Sequence, residues 1–230
     1  MGKKQKKTYR KTILTIHKIL GLATGLVVFI VSITGCIWAF KEEIESLYDD
    51  YKYVTPVEAQ MLKASEVKRI AEEAIPDRII HGVIYGQPDE AIEVVFYESE
   101  PAVFYHTLFL NPYTGEVLKI IDQDNNFFGF VLKGHLRLWL PESIGSRIVS
   151  FSVLLFFIVL LSGLYLWWPK TKKNRAQRFT FKWKPSTGWK RKNFDLHAIV
   201  GFYVSFFALI LAYTGSIMAF NWFYFIAFKI

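Results

Sequence analysis

The sequence predicts a membrane protein in which three transmembrane α-helices carry a small α+β module between the first and second helix. Three observations predict it: apolar runs at residues 13–40, 144–168 and 194–220, two clusters of basic charge that flank those runs, and a strand-rich segment after the first run. Each run exceeds the roughly 20 residues that cross a hydrocarbon core of about 30 Å at a rise of about 1.5 Å per residue. The central parts of the runs hold no Asp, Glu, Lys or Arg. A chain of 230 residues with 52% hydrophobic and 17% aromatic content is also too apolar for an ordinary soluble domain.

The first run follows the basic start MGKKQKKTYRK, as a signal peptide would. It is too long for an h-region and no small-residue cleavage site closes it, so residues 13–40 are read as a retained span. Trp38 and Phe40 mark its interfacial end. Residues 1–12 hold six Lys or Arg and no acid, and the loop 169–193 holds ten: Lys170, Lys172, Lys173, Arg175, Arg178, Lys182, Lys184, Lys190, Arg191 and Lys192. The positive-inside rule makes both segments cytoplasmic, which places 41–143 and the tail 221–230 outside. The same charge accounts for attraction to anionic lipid heads, and nucleic acid is not expected as a partner. Cys36 is the lone cysteine, which excludes disulfides, a thiolate iron–sulfur cluster and covalent haem attachment.

Within 41–143, residues 58–75 show helical spacing of Leu62, Val67, Ile70 and Ala74, with Ser65 as N-cap and Pro76 as stop. Strands are expected over 78–85, 91–97 and 103–110, separated by GQPDE and ESEP turns. The turn NPYTG then leads into a closing strand EVLKII, with Gly115 where a positive φ is needed. His81 and His106 fall on these strands and are read as ordinary surface histidines.

The first and third spans are copies of one pattern at an offset of 180 residues without a gap. His17 aligns with His197, Gly21 with Gly201, Thr34-Gly35 with Thr214-Gly215, and Phe40 with Phe220. An ionisable ring inside a membrane span marks a functional site by default, and a facing pair of imidazoles is what a haem iron accepts as axial ligands. His17 lies six residues from Lys11 and His197 five from Lys192, so the two rings are expected at one height in the cytoplasmic leaflet. Gly21 and Gly201, one turn beyond each histidine, with Gly25 and Ser205 a further turn on, would form a shallow trough for a flat macrocycle. The same small residues also suit close helix packing, and the histidines also suit interfacial anchoring. Packing is the expected role of Thr34-Gly35, Ser162-Gly163 and Thr214-Gly215. Tyr165, Trp167 and Trp168 read as an aromatic belt, and Trp139 and Trp222 as interface anchors.

The strand pair LNPYTGEVLKI at 110–120, flanked by these spans, resembles the PepSY family, and the whole chain is similar to the PepSY-associated transmembrane family, which includes inner-membrane ferric-siderophore reductases. The resemblance implies an extracytoplasmic PepSY-like domain, a bacterial inner-membrane location and, beyond the haem b read for His17 and His197, His135 as a ligand of a second haem near the outer face. His135 sits in FVLKGHLRLWLPESIGS, where Pro141 and Gly145 are expected to break any continuous helix. Fuller family members have a fourth transmembrane helix, whereas three spans are legible here. The partner of His135 would then be His106, a second subunit or a part outside this chain, or the second haem is absent.

No phosphate-binding glycine loop, dinucleotide fingerprint or HExxH motif occurs, and the basic loop is too short to hold a flavin or nicotinamide. No catalytic residue is assigned. Electrons would come from a donor protein or a membrane quinol, and the acceptor implied by the resemblance is a ferric siderophore. Two other functions fit the same sequence. One is a non-enzymatic adaptor whose PepSY-like domain restrains a partner, and the other is a subunit of a larger reductase or transporter, with homo-oligomers also allowed.

Overall fold

The computed structural model describes residues 3–100, 103–169 and 176–228, with side chains from residue 8 and, after the second gap, from residue 178. Lys170, Lys172, Lys173 and Arg175 of the basic loop, and Pro101 of the ESEP turn, lie outside the described residues. The chain divides into two compact units, one formed by Met1–Ser32 with Leu136–Ile230 and the other by Ile33–His135.

Three helices are long and apolar enough to cross a membrane: Thr8–Ala39, Glu142–Trp167 and Trp189–Ala219. The first is the apolar part of α1 (Lys3–Ala39), the second is α5 (Glu142–Trp167) and the third α7 (Trp189–Ala219). Only 11%, 11% and 17% of their most apolar stretches are buried inside the protein. Apolar side chains left outward in such number are at home against lipid tails. Polar groups inside the spans bond back to their own helix: Thr24 donates to the Leu20 carbonyl, Ser205 to Phe202 and Ser216 to Ala212. In hydrocarbon an unsatisfied hydroxyl would be costly, and this local bond removes the cost.

The second unit continues from α1 through a short helix α2 (Lys41–Glu45) and a single turn at Asp50–Lys52 to α3 (Ala64–Ala74). Four strands follow, β1 (Ile80–Ile84), β2 (Ile92–Glu98), β3 (Phe104–Leu110) and β4 (Val117–Asp122), then α4 (Phe127–Arg137). The strands form one antiparallel meander in the order β1-β2-β3-β4. Alternation along β2 and β3 turns Ile92, Val94, Phe96, Leu108 and Leu110 toward Val67 and Ala71 of α3, making the core of this unit. Phe109 and Thr107 point to the opposite face and are buried there as well.

Two local expectations are corrected. The cap of α3 is Lys63, not Ser65: its backbone N–H donates to the Glu66 carboxylate at 2.9 Å, which starts the helix before Ser65. Gly145 does not break a helix. The chain turns at Leu138 and Trp139, both at positive φ, and α5 (Glu142–Trp167) starts after Pro141 with Gly145 inside it. The glycine is needed there because a Cβ would collide with the Arg137 carbonyl oxygen and side chain. The NPYTG turn has Gly115 at φ 75°, with Asn111 Oδ1 accepting from the Tyr113 and Thr114 N–H groups.

After α5, a four-residue helix α6 (Ala176–Phe179) precedes α7 (Trp189–Ala219) and α8 (Asn221–Phe228). α5 and α7 pack side by side, with Trp167 stacked on Phe202 at 3.8 Å and Phe151 edge-on to Phe220 at 5.4 Å. Asp195, near the start of α7, is buried and takes an ion pair from Arg191 and a 3.3 Å hydrogen bond from Trp183 Nε1. That pair fastens the end of the basic loop onto the helix.

Candidate functional site

The span unit brings His17 of α1 and His197 of α7 together, with ring centroids 6.2 Å apart and planes at 66°. Two imidazoles on one metal, each with its nitrogen about 2 Å from it, place their ring centroids about 6 Å apart, so the spacing suits a shared iron. The two rings differ in surroundings. His17 is half-buried and His197 exposed in the isolated chain.

His17 rests on α5. Its Nδ1 lies 2.9 Å from Ser162 Oγ, and Ser162 in turn donates its proton to the Val159 carbonyl at 2.8 Å. A Cβ added at Gly163 would sit 3.2 Å from His17 Cε1, so the glycine lets the ring lie close on that turn. His197 makes no hydrogen bond among the described residues, which leaves both its ring nitrogens available.

The glycines expected to line a trough behave differently from one another. A Cβ on Gly21 would meet Val159 Cγ1 at 3.9 Å, ordinary contact with α5, while Gly201 and Gly25 have open space where a Cβ would be. Gly21 therefore serves helix packing, and Gly201 leaves room on α7 one turn beyond His197. Trp167 supplies a further unmet group: its indole nitrogen is buried without an acceptor among the described residues.

His135 belongs to the other unit, at the end of α4. Its Nδ1 is 3.4 Å from Thr34 Oγ1 of α1, and a Cβ on Gly35 would sit 2.9 Å from its Cε1. His81 is exposed and edge-on to Tyr97, and His106 is stacked on Phe104 at 4.0 Å with a buried Nδ1 that has no partner among the described residues. Among the described residues no group of three or more His, Cys, Asp or Glu side chains could hold a bare metal ion.

The sheet's other face carries a cleft of about 180 Å³ that sequence reasoning did not anticipate, lined by Lys41, Glu45, Asp49, Lys52, Glu93 and Phe109 among others. Lys52 bonds Glu45 at 2.6 Å and stands 3.7 Å from Asp49. Burial disfavours the charge on Lys52, but that bond and the two carboxylates outweigh it and raise its pKa. Burial pushes Glu93 upward against the pull of Lys52 and Lys41. Tyr51, desolvated beside Asp49, is raised too.

Long, lipid-facing apolar helices joined to a small antiparallel sheet define a multi-pass membrane protein. The sequence matches the PepSY-associated TM region family over residues 14–229, and the chain belongs to that family. No curated protein matches the sequence significantly.

Proposed function

We propose that this protein is a haem-binding electron-transfer protein of a bacterial inner membrane. In this reading His17 and His197 hold the iron of one haem b, with Gly201 leaving room beside it on α7. The observation that carries the reading is the 6.2 Å approach of two imidazoles from the two copies of the repeat. Anchoring at the interface would account for either histidine alone, but it does not require them to face each other.

The residues fit such a group in two respects. His17 has one nitrogen engaged by Ser162, leaving Nε2 for a metal. His197 keeps both nitrogens unbonded within the described residues. Haem bound there would supply one-electron transfer, with the protein setting its potential through ligand basicity and burial.

Both histidine-bearing spans run outward from basic ends, so this site belongs to the cytoplasmic leaflet and the sheet module to the outside. The acceptor we assign from family likeness is an extracytoplasmic ferric siderophore. One electron converts its Fe(III) to Fe(II), a poorer partner for hard oxygen ligands, and the iron is released. The electron comes from a donor protein or a quinol. His135 is placed on a second, outer haem.

The test is anaerobic. Dithionite-reduced protein freed of excess reductant is mixed with a ferric hydroxamate and an Fe(II) chelator. Reoxidation of the reduced b-type band, matched by one Fe(II) captured per electron, supports the reading; a reduced band that persists overturns the assigned acceptor.

A further inference from the structure

Hydroxyl–glycine pairs occur in every span: Thr24-Gly25 and Thr34-Gly35 in α1, Ser162-Gly163 in α5 and Thr214-Gly215 in α7. As sequence these are indistinguishable packing elements. In the fold, Ser162-Gly163 and Thr34-Gly35 each border an imidazole, whereas Thr24-Gly25 and Thr214-Gly215 do not.

The Ser162-Gly163 pair is the more completely defined. A serine hydroxyl has one proton, and Ser162 gives it to the Val159 carbonyl at 2.8 Å. Toward His17 the oxygen can therefore only accept, so the 2.9 Å contact requires the proton to be on Nδ1. Neutral imidazole carries one N–H, and Nε2 is left as a lone pair. Gly163 completes the arrangement, because the ring edge lies where a side chain would begin, 3.2 Å from the ideal Cβ. Hydroxyl and glycine together fix tautomer and orientation.

Thr34-Gly35 meets His135 over a longer contact. The hydroxyl faces Nδ1 at 3.4 Å, and an ideal Cβ on Gly35 would come within 2.9 Å of Cε1 and 3.2 Å of Nδ1, closer than a real side chain tolerates. Thr214-Gly215 is the internal control. Thr214 Oγ1 bonds the carbonyls of Ile210 and Leu211, and Gly215 meets Val153 at 3.5 Å.

We propose that Ser162-Gly163 is a positioning site that holds His17 as its Nδ1–H tautomer and presents its Nε2 lone pair. The ligand role of that lone pair rests on the haem reading; the tautomer does not. A donor bond from a ligand imidazole to a neighbouring oxygen raises its basicity and fixes its plane, and losing such a partner typically weakens metal binding about 10–100-fold.

The experiment uses the full chain in nanodiscs, apo, with ¹⁵N-histidine labelling, followed by hemin titration. Wild type should show an Nδ1-protonated signal that disappears in the His17→Ala variant. Ser162→Ala should turn the His17 signal into a mixture of tautomers and weaken hemin binding about 10–100-fold, while Ser162→Thr restores both. Thr214→Ala should leave hemin affinity within twofold. An unchanged His17 tautomer in Ser162→Ala, or an equal loss of affinity in Thr214→Ala, overturns the proposal. If wild type takes up no hemin, the haem reading falls, and the tautomer signal still decides whether Ser162-Gly163 positions His17.

Discussion

In the sheet unit Val94, Phe96 and Leu108 expose none of their surface, whereas Leu22 of α1 and Met218 of α7 leave 86% and 89% of theirs open. The sheet unit is held by apolar burial in the ordinary way, with α3 covering one face of β2 and β3. The span unit has few fully buried apolar side chains, and its defined contacts are polar or aromatic: Ser162 with His17, Arg10 Nη2 with the Leu166 carbonyl at 2.6 Å, and Trp167 stacked on Phe202. Lipid is as apolar as leucine, so burial cannot drive the helices together there; packing and hydrogen bonds must. Side chains that would be incidental in a soluble core thereby come to specify where the histidines sit.

Truncating the sheet core should have the largest effect on stability. Phe96→Ala should cost about 3–5 kcal/mol, read as early loss of the sheet unit in thermal unfolding. The matching truncation in a span, Leu22→Ala, should shift stability by less than about 0.5 kcal/mol. Charge reverses the contrast: Leu22→Arg should raise the cost of membrane insertion by about 2.5–3.5 kcal/mol, seen as loss of membrane-integrated protein. Equal responses of the two units to truncation would break the comparison.

Smaller effects come from backbone and charge within the sheet unit. Gly115→Ala places a side chain at φ 75° and 2.7 Å from Ile70 Cδ1, and should cost about 1–2 kcal/mol or more. Glu93 should give the smallest effect, visible as a pH dependence. Its folded pKa is raised, so its contribution is fully present below the unfolded carboxylate pKa and is lost as pH rises through the folded value. Glu93→Gln should therefore melt higher than wild type at neutral pH, and the difference should shrink to nothing under acid conditions where Glu93 is protonated in both states.

The apolar runs and the 180-residue repeat were legible because run length and spacing survive in one dimension. So was the NPYTG turn, since Asn111 and Gly115 act locally. The cap of α3 was misplaced because Ser65 and Lys63 are both compatible with a helix start, and the Glu66 carboxylate decides between them. The segment at 127–137 passed unnoticed as α4, since its two internal glycines weaken the helical pattern. The partner of His17 was not legible at all: Ser162 is 145 positions away, and nothing in the pattern states which face of α5 meets α1. The same limit hid the contact between Thr34 and His135, 101 positions apart.

Haem content per chain, measured as the pyridine haemochrome of purified wild type, His17→Ala/His197→Ala and His135→Ala from haem-replete cells, tests the central claim most directly. The account predicts b-type haem in wild type, loss of the inner haem in the double variant, and retention of that haem in the His135 variant. A folded wild type without haem, or a double variant with unchanged haem content, would contradict it.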